Sequence, residues 1–358
     1  MQGAYSEPAR TTQLPVERGS WQQLSEQTAK KRILDGGSLL VVGAPGIGKT
    51  FWVRELVAEL RDKGLKVDIV SKTHSAVQNF WEGAITADPW VRRQVRNGAP
   101  KCDVLVVDEI TQIDVQLWVD ISRCILKGMS FVLSGDFKQF QAISEHWCAC
   151  PVPEGSLEHS DMLFELAGGC YLELTKNMRS DQTLLDFYTG IWGMNLGDAI
   201  AKGRRDDAAT AKHPNFTMVV SHNKRKKINR ERNLQDKPSE AVFVRAPKIT
   251  CQGNAPQNMW VWAGLRMLGA GGKCLKGVFY EIESYENEIV TLVSGEKMSH
   301  DECVKCLRLS YAITYASSQG LTLNGLVRLE DTTNRNFGLR HLYVGASRCT
   351  SSDFLEVT

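Results

Sequence analysis

The chain has 358 residues, 42% of them hydrophobic and 23% charged, with a formal net charge of +2. Those fractions describe a globular protein and exclude a disordered or fibrous chain, and the length suits two or three domains. No stretch approaches the roughly 18 apolar residues of a membrane span and the first twenty residues lack a secretory pattern, so an intracellular, soluble protein without a membrane partner is expected.

Residues 1–20 read as a polar arm. Residues 21–34 carry a helical pattern that stops at Asp35-Gly36-Gly37, where glycines suit a helix end. The apolar run 38–42 predicts a buried parallel strand, followed by a glycine-rich turn and a helix over about 50–64. Further strands are expected at 67–71, 104–107, 131–134 and 171–174, with helices from residue 75 and over 115–126. This alternation predicts an α/β domain over 21–175, built on a doubly wound parallel sheet.

A second α/β domain is expected from 176–240 and 306–358, opening with a strand at 216–221 and a basic helix over 223–234. Between its halves, 241–305 changes to short strands and glycines, with a hairpin from 279–282 and 288–293; it reads as an inserted β module. The parent domain would resume at 307–311 and finish at 342–344. The ten cysteines mostly sit singly in apolar runs, and free thiols in a reducing cell are the simpler reading. His146-Cys148-Cys150 and His300-Cys303-Cys306 are candidate zinc clusters, but neither has a second pair at finger spacing.

Gly43-Ala44-Pro45-Gly46-Ile47-Gly48-Lys49-Thr50 fits G-x-x-x-x-G-K-[ST] between a strand and a helix. Gly43, Gly46 and Gly48 let backbone N–H groups curl around phosphate oxygens at a helix N-terminus. Lys49 would reach the β- and γ-phosphates of ATP, and the Thr50 hydroxyl would ligate Mg²⁺. The strand at 104–107 runs into Asp108, a second Mg²⁺ ligand, and Glu109, a general base for the attacking water. Gln139 follows the next strand and can sense the γ-phosphate and position water.

Arg179 stands after the strand at 171–174. Much later come Thr314-Tyr315-Ala316-Ser317-Ser318-Gln319-Gly320 and Tyr343-Val344-Gly345-Ala346-Ser347-Arg348. In this order the motifs resemble those of superfamily 1 helicases, and the last two are most similar to the RecD/Pif-type DNA helicase branch. The resemblance covers most of 21–358 and implies two RecA-like domains with ATP in the cleft between them. It implies arginine-finger roles for Arg179 and Arg348, nucleotide contacts for Gln319 and Gly320, and an adenine-reading role for Gln27, with Gln22 and Gln23 as competitors. An arginine that arrives only when the cleft closes would couple hydrolysis to domain movement, because the planar guanidinium matches the charge spread over the γ-phosphate.

Thr73 and His74 follow the second strand, where the family holds the nucleic-acid backbone; Phe80 and Trp81 are candidate stacking platforms. Asn223 plays the matching part in the second domain. Lys224, Arg225, Lys226 and Lys227, with Arg230 and Arg232, concentrate positive charge that favours a phosphate partner. Thr314 and Ser317 would line the same groove, although the family often carries Lys or His where Ser317 stands. By the resemblance, the inserted module is an SH3-like accessory gripping the strand, and the chain, ending soon after Arg348, reads as a core cut from a longer polypeptide. The expected activity is an ATP-dependent helicase or translocase moving 5′-to-3′ on single-stranded DNA, favoured over RNA. The alternatives are a viral-type superfamily 1 RNA helicase, and a nucleotide-gated binding module without unwinding.

Overall fold

The computed structural model describes residues 19–80, 83–142, 146–147, 150–204, 213–247 and 254–358. Trp81, Cys148 and nearly all of the expected polar arm lie outside them. The first domain is a seven-stranded sheet in the order Gln22–Gln23, Cys170–Glu173, Leu39–Val42, Ser130–Gly135, Val104–Asp108, Val67–Ser71 and Ala84–Thr86, parallel throughout. The central strands are continuous apolar runs because helices cover both faces. Val41 and Val106 pack toward the helix Lys49–Asp62, while Leu105 and Leu133 pack toward Trp118 and Ile121.

The expected first helix begins later than its pattern suggested. Ser25 caps the helix Glu26–Leu34 by accepting from the Thr28 N–H, and Gln22–Gln23 is instead an edge strand paired with Cys170 and Tyr171. Two polar residues hold this strand through their backbones, a role hydrophobic periodicity does not register.

The second domain has four parallel strands in the order Ala312–Thr314, Phe216–Val219, Val327–Leu329 and Leu355–Val357. The run expected to close it, 342–344, lies inside the helix Leu339–Ala346. Two connecting helices, Gln182–Gly190 and Leu196–Gly203, join the domains, and Leu184, Phe187 and Tyr188 belong to a core that continues from one sheet to the other.

The inserted module is a five-stranded antiparallel sheet, with Lys297–Ser299, Ile289–Leu292, Phe279–Glu286, Arg266–Gly269 and Leu307–Leu309 as neighbours, beside the pair Val242–Val244 and Met259–Val261. The expected hairpin is present, its turn made by Asn287 and Glu288 at φ 49° and 62°. Leu307–Leu309 pairs with Arg266–Gly269 and so belongs to the module, and the parent sheet resumes only at Ala312.

The helix His222–Asp236 fastens module to domain with a polar inner stripe. Asn229 donates to the carbonyls of Leu309 and Ala312 at 3.1 and 3.0 Å. Asn233 donates to the Trp260 carbonyl at 2.9 Å and accepts its N–H at 2.7 Å. Among the described residues, no helix is long and apolar enough to cross a membrane.

Candidate active site and nucleic-acid interface

The turn after Leu39–Val42 needs glycine at Gly43: a Cβ there would sit 2.0 Å from Ile47 Cδ1 and 2.5 Å from the Leu174 carbonyl oxygen. It leads into the helix Lys49–Asp62, whose first turn carries neither a side-chain cap nor an acidic residue. Its free N–H groups therefore suit an anion. Lys49 Nζ folds back onto the carbonyls of Gly43 and Ala44 at 2.7 and 2.9 Å. Burial pulls its pKa down, against the opposing pull of Asp136, Glu109 and Asp108.

A cavity of about 210 Å³ gathers Gly46, Gly48, Lys49, Thr50, Asp108, Glu109, Gln139, Arg179, Gly320 and Arg348. Eight come from the first domain and its exit loop; Gly320 and Arg348 come from the second. Burial, reinforced by Glu109, pushes Asp108 up to about 7, as two carboxylates side by side in a buried site do. Glu109 holds a left-handed backbone, φ 54° and ψ 48°, a strained state for a non-glycine residue that is common at functional sites. Thr50 and Asp108 are thus fit to hold Mg²⁺.

The opposite wall is cationic. Arg348 is buried, its guanidinium held by the Ser347 hydroxyl at 2.9 Å and the Val344 carbonyl at 3.2 Å. Arg179 donates to the Ser347 carbonyl at 3.2 Å. Burial, then the nearby Arg348, pulls Arg179 down to about 10. Two neighbouring cations, one buried and one half-buried, suit an anion of high charge.

Other expected nucleotide contacts lie outside the cavity wall. Gln319 turns out of the cavity wall: its Nε2 donates to the Phe140 carbonyl at 3.2 Å, bridging the domains. Gln27 is exposed on the first turn of its helix and does not line the cavity. Gln22 and Gln23 are engaged by Cys170 and Tyr171 on the sheet edge. The chain also makes bonds that the motifs did not announce: Tyr343 donates to Asp136 Oδ2 at 2.7 Å, Arg340 to the Gln139 carbonyl at 2.6 Å, and Tyr188 to the Pro45 carbonyl at 2.7 Å. Tyr343 stands inside the last motif and Asp136 just before Gln139; what the sequence lacks is any sign that they meet.

At the track side, Thr73 and Ser221 play equivalent parts. Each follows a strand and caps the next helix, accepting from the N–H of Ala76 and Lys224 at 3.2 Å. His74 is half-buried at the same turn, and Thr314 and Ser317 are hydrogen-bonded to each other after the strand Ala312–Thr314. Phe80 is core, 4% exposed, rather than a stacking platform.

The basic run divides by helical period. Lys224 pairs with Glu330 and Asp331 at 2.8 and 2.7 Å. Arg225 is buried against Asn254. Neither is free for a strand, which corrects the expectation for both. Asn223, Lys226, Lys227 and Arg230, at i, i+3, i+4 and i+7, share one face and line a groove with Gln257 and Asn258.

The cysteine cluster is spread by the fold. Cys303 and Cys306 are buried in the module core, where burial pushes Cys303 up to about 12, while His300 stacks on Tyr285. Among the described residues, no group of three His, Cys, Asp or Glu side chains is placed to hold a metal.

A family model described as an AAA domain matches residues 23–147. An ATP-dependent DNA helicase, PIF5, of Trypanosoma brucei brucei is 28% identical over 167 residues, 39% of this chain and 18% of its own length; the chain thus spans under a fifth of that relative. Among solved structures, Pif1 helicase from Candida albicans superposes with a TM-score of 0.65 at 19% identity, covering 93% of this chain and 94% of that one. Bacteroides Pif1 bound to ssDNA gives 0.65 at 16% identity, covering 93% and 91%. The fold is thus that of the Pif1 helicase structures, and the AAA domain match covers the part of the chain that carries the phosphate loop, Asp108 and Gln139.

Proposed function

We propose that the chain is an ATP-dependent motor that moves along single-stranded DNA, 5′-to-3′, and separates strands. The observation that carries this reading is the mixed cavity wall: Lys49, Glu109 and Gln139 from one domain face Arg348 from the other across a single cleft. Hydrolysis then requires the domains to be docked, which is how a chemical step is tied to movement. The names of the relatives support ATP and DNA: one is an ATP-dependent DNA helicase, and the Bacteroides structure carries ssDNA.

In this reading Lys49 and the loop N–H groups hold the phosphates. Thr50 and Asp108 would hold Mg²⁺, which would neutralise phosphate charge. Glu109 takes the proton of the attacking water, Gln139 orients that water, and Arg179 and Arg348 stabilise charge on the transferred group. The strand crosses the ends of both sheets at Thr73, His74, Asn223, Thr314 and Ser317, continuing onto Lys227 and its neighbours. The test is steady-state ATP hydrolysis with and without single-stranded DNA and RNA, beside Lys49→Ala and Arg348→Ala. Stimulation by DNA that both variants lose supports the motor. Better stimulation by RNA names an RNA track, and hydrolysis indifferent to either polymer leaves a nucleotide-gated binding module.

A further inference from the structure

The turn Asp136–Gln139 is a first-domain segment gripped by the second domain. Tyr343 donates to Asp136 Oδ2 at 2.7 Å, and Arg340, one turn earlier on the helix Leu339–Ala346, donates to the Gln139 carbonyl at 2.6 Å. His341 meets the Phe140 ring edge-on at 4.8 Å. Two residues of one helix thus hold the turn, and a third packs on the residue that follows it.

Inside the turn, Asp136 is the organiser. Its Oδ1 accepts the Lys138 N–H at 3.0 Å, and the Gln139 amide nitrogen lies 3.5 Å from the Oδ2 that Tyr343 also engages. With Nε2 directed at Asp136, Gln139 Oε1 is buried with no hydrogen-bond partner among the described residues, on a side chain only 3% exposed that lines the nucleotide cavity. A buried, unpartnered amide oxygen is costly, so the place of this side chain depends on what its Nε2 and the turn around it are tied to.

We propose that Tyr343 is a positioning residue for ATP hydrolysis: through Asp136 it fixes the Gln139 side chain at the wall of the nucleotide cavity only while the second domain is docked. This rests on the motor reading above. Burial and the neighbouring Asp136 push the Tyr343 phenol well above its usual range, so it remains a hydrogen-bond donor across the working pH. The ring packs edge-on against Tyr188 and Trp192 at 5.6 and 5.4 Å, so Tyr343→Phe removes the hydroxyl and keeps the packing.

The experiment measures kcat and KM for ATP, with and without saturating single-stranded DNA, in the whole chain and in Tyr343→Phe, Asp136→Ala and the double variant, with melting temperatures alongside. The expected result is a fall in kcat on the order of 10–100-fold in Tyr343→Phe, as for a misplaced reacting group. KM and melting temperature stay unchanged, and the double variant is no slower than Asp136→Ala alone. Wild-type kcat in Tyr343→Phe, a rise in KM alone, or additive losses would overturn the assignment. Wild-type turnover that ignores DNA sinks the motor reading, while the same kcat and KM comparison on basal turnover still decides the role of Tyr343. A wild-type chain with no turnover overturns both.

Discussion

Arg179 donates to the backbone carbonyl of Ser347 at 3.2 Å, while the hydroxyl of that same serine receives Arg348 at 2.9 Å. One residue therefore spaces two guanidinium groups along the cavity wall. Their orientation is set by the second domain's backbone rather than by a carboxylate, so both charges stay available to phosphate oxygens.

Replacing Arg348 separates activity from stability. Arg348→Met is expected to lower kcat on the order of 10³-fold or more, the scale of a missing arginine finger. The nucleotide-free protein should keep or raise its melting temperature, because a buried cation beside a second cation is exchanged for apolar packing. Calorimetry and hydrolysis on the same preparation check this; parallel losses would mean that Arg348 is structural.

Lys49→Ala should reduce hydrolysis on the order of 10²–10³-fold, as when a transition-state donor is removed. Its ammonium rests on the Gly43 and Ala44 carbonyls, and the fold does not depend on it. Far-ultraviolet circular dichroism should be unchanged while turnover disappears.

The face of Lys226, Lys227 and Arg230 should contribute to strand binding where Lys224 does not. Changing the three to alanine is expected to weaken single-stranded DNA binding at every sequence. The salt slope of log Kd should flatten by about 2, at roughly 0.7 for each phosphate the three no longer neutralise. Lys224→Ala should instead lower the melting temperature and leave the slope alone, since Lys224 is tied to Glu330 and Asp331. Fluorescence anisotropy across a salt series distinguishes them.

His341 gives the fold a pH dependence with a definite sign. Burial, helped by Arg340, pulls its imidazole down to about 4, so the folded chain resists a proton that the unfolded chain accepts near 6.5. The stabilisation is complete above about 6.5 and is lost as pH falls toward 4. The melting temperature should drop across that window, and His341→Gln should drop less. Equal drops would remove His341 from the account.

The features legible in the sequence were those whose signal is local. Strands buried on both faces appear as unbroken apolar runs, and the phosphate loop appears as glycine spacing. The module boundary failed for a different reason: Leu307 to Leu309 is apolar, but only pairing with Arg266 to Gly269 decides which sheet receives it. Composition made one basic patch of 224–227, whereas the helix turns Arg225 inward and gives Lys224 to two carboxylates. The Tyr343–Asp136 bond joins positions 207 residues apart, a relationship that no single stretch of sequence contains.

The amide of Asn229 bridges the last strand of the module, at Leu309, to the first strand of the resumed domain, at Ala312, and Asn233 ties the same helix to Trp260. The module therefore has no hinge of its own at this seam. It is carried with the second sheet, and a rotation of that sheet moves the module with it. Through Gly277, whose Cβ position lies 3.4 Å from Ser75 Oγ, the module also rests on the first domain, so a shift of one sheet against the other is felt at this contact as well as in the nucleotide cleft.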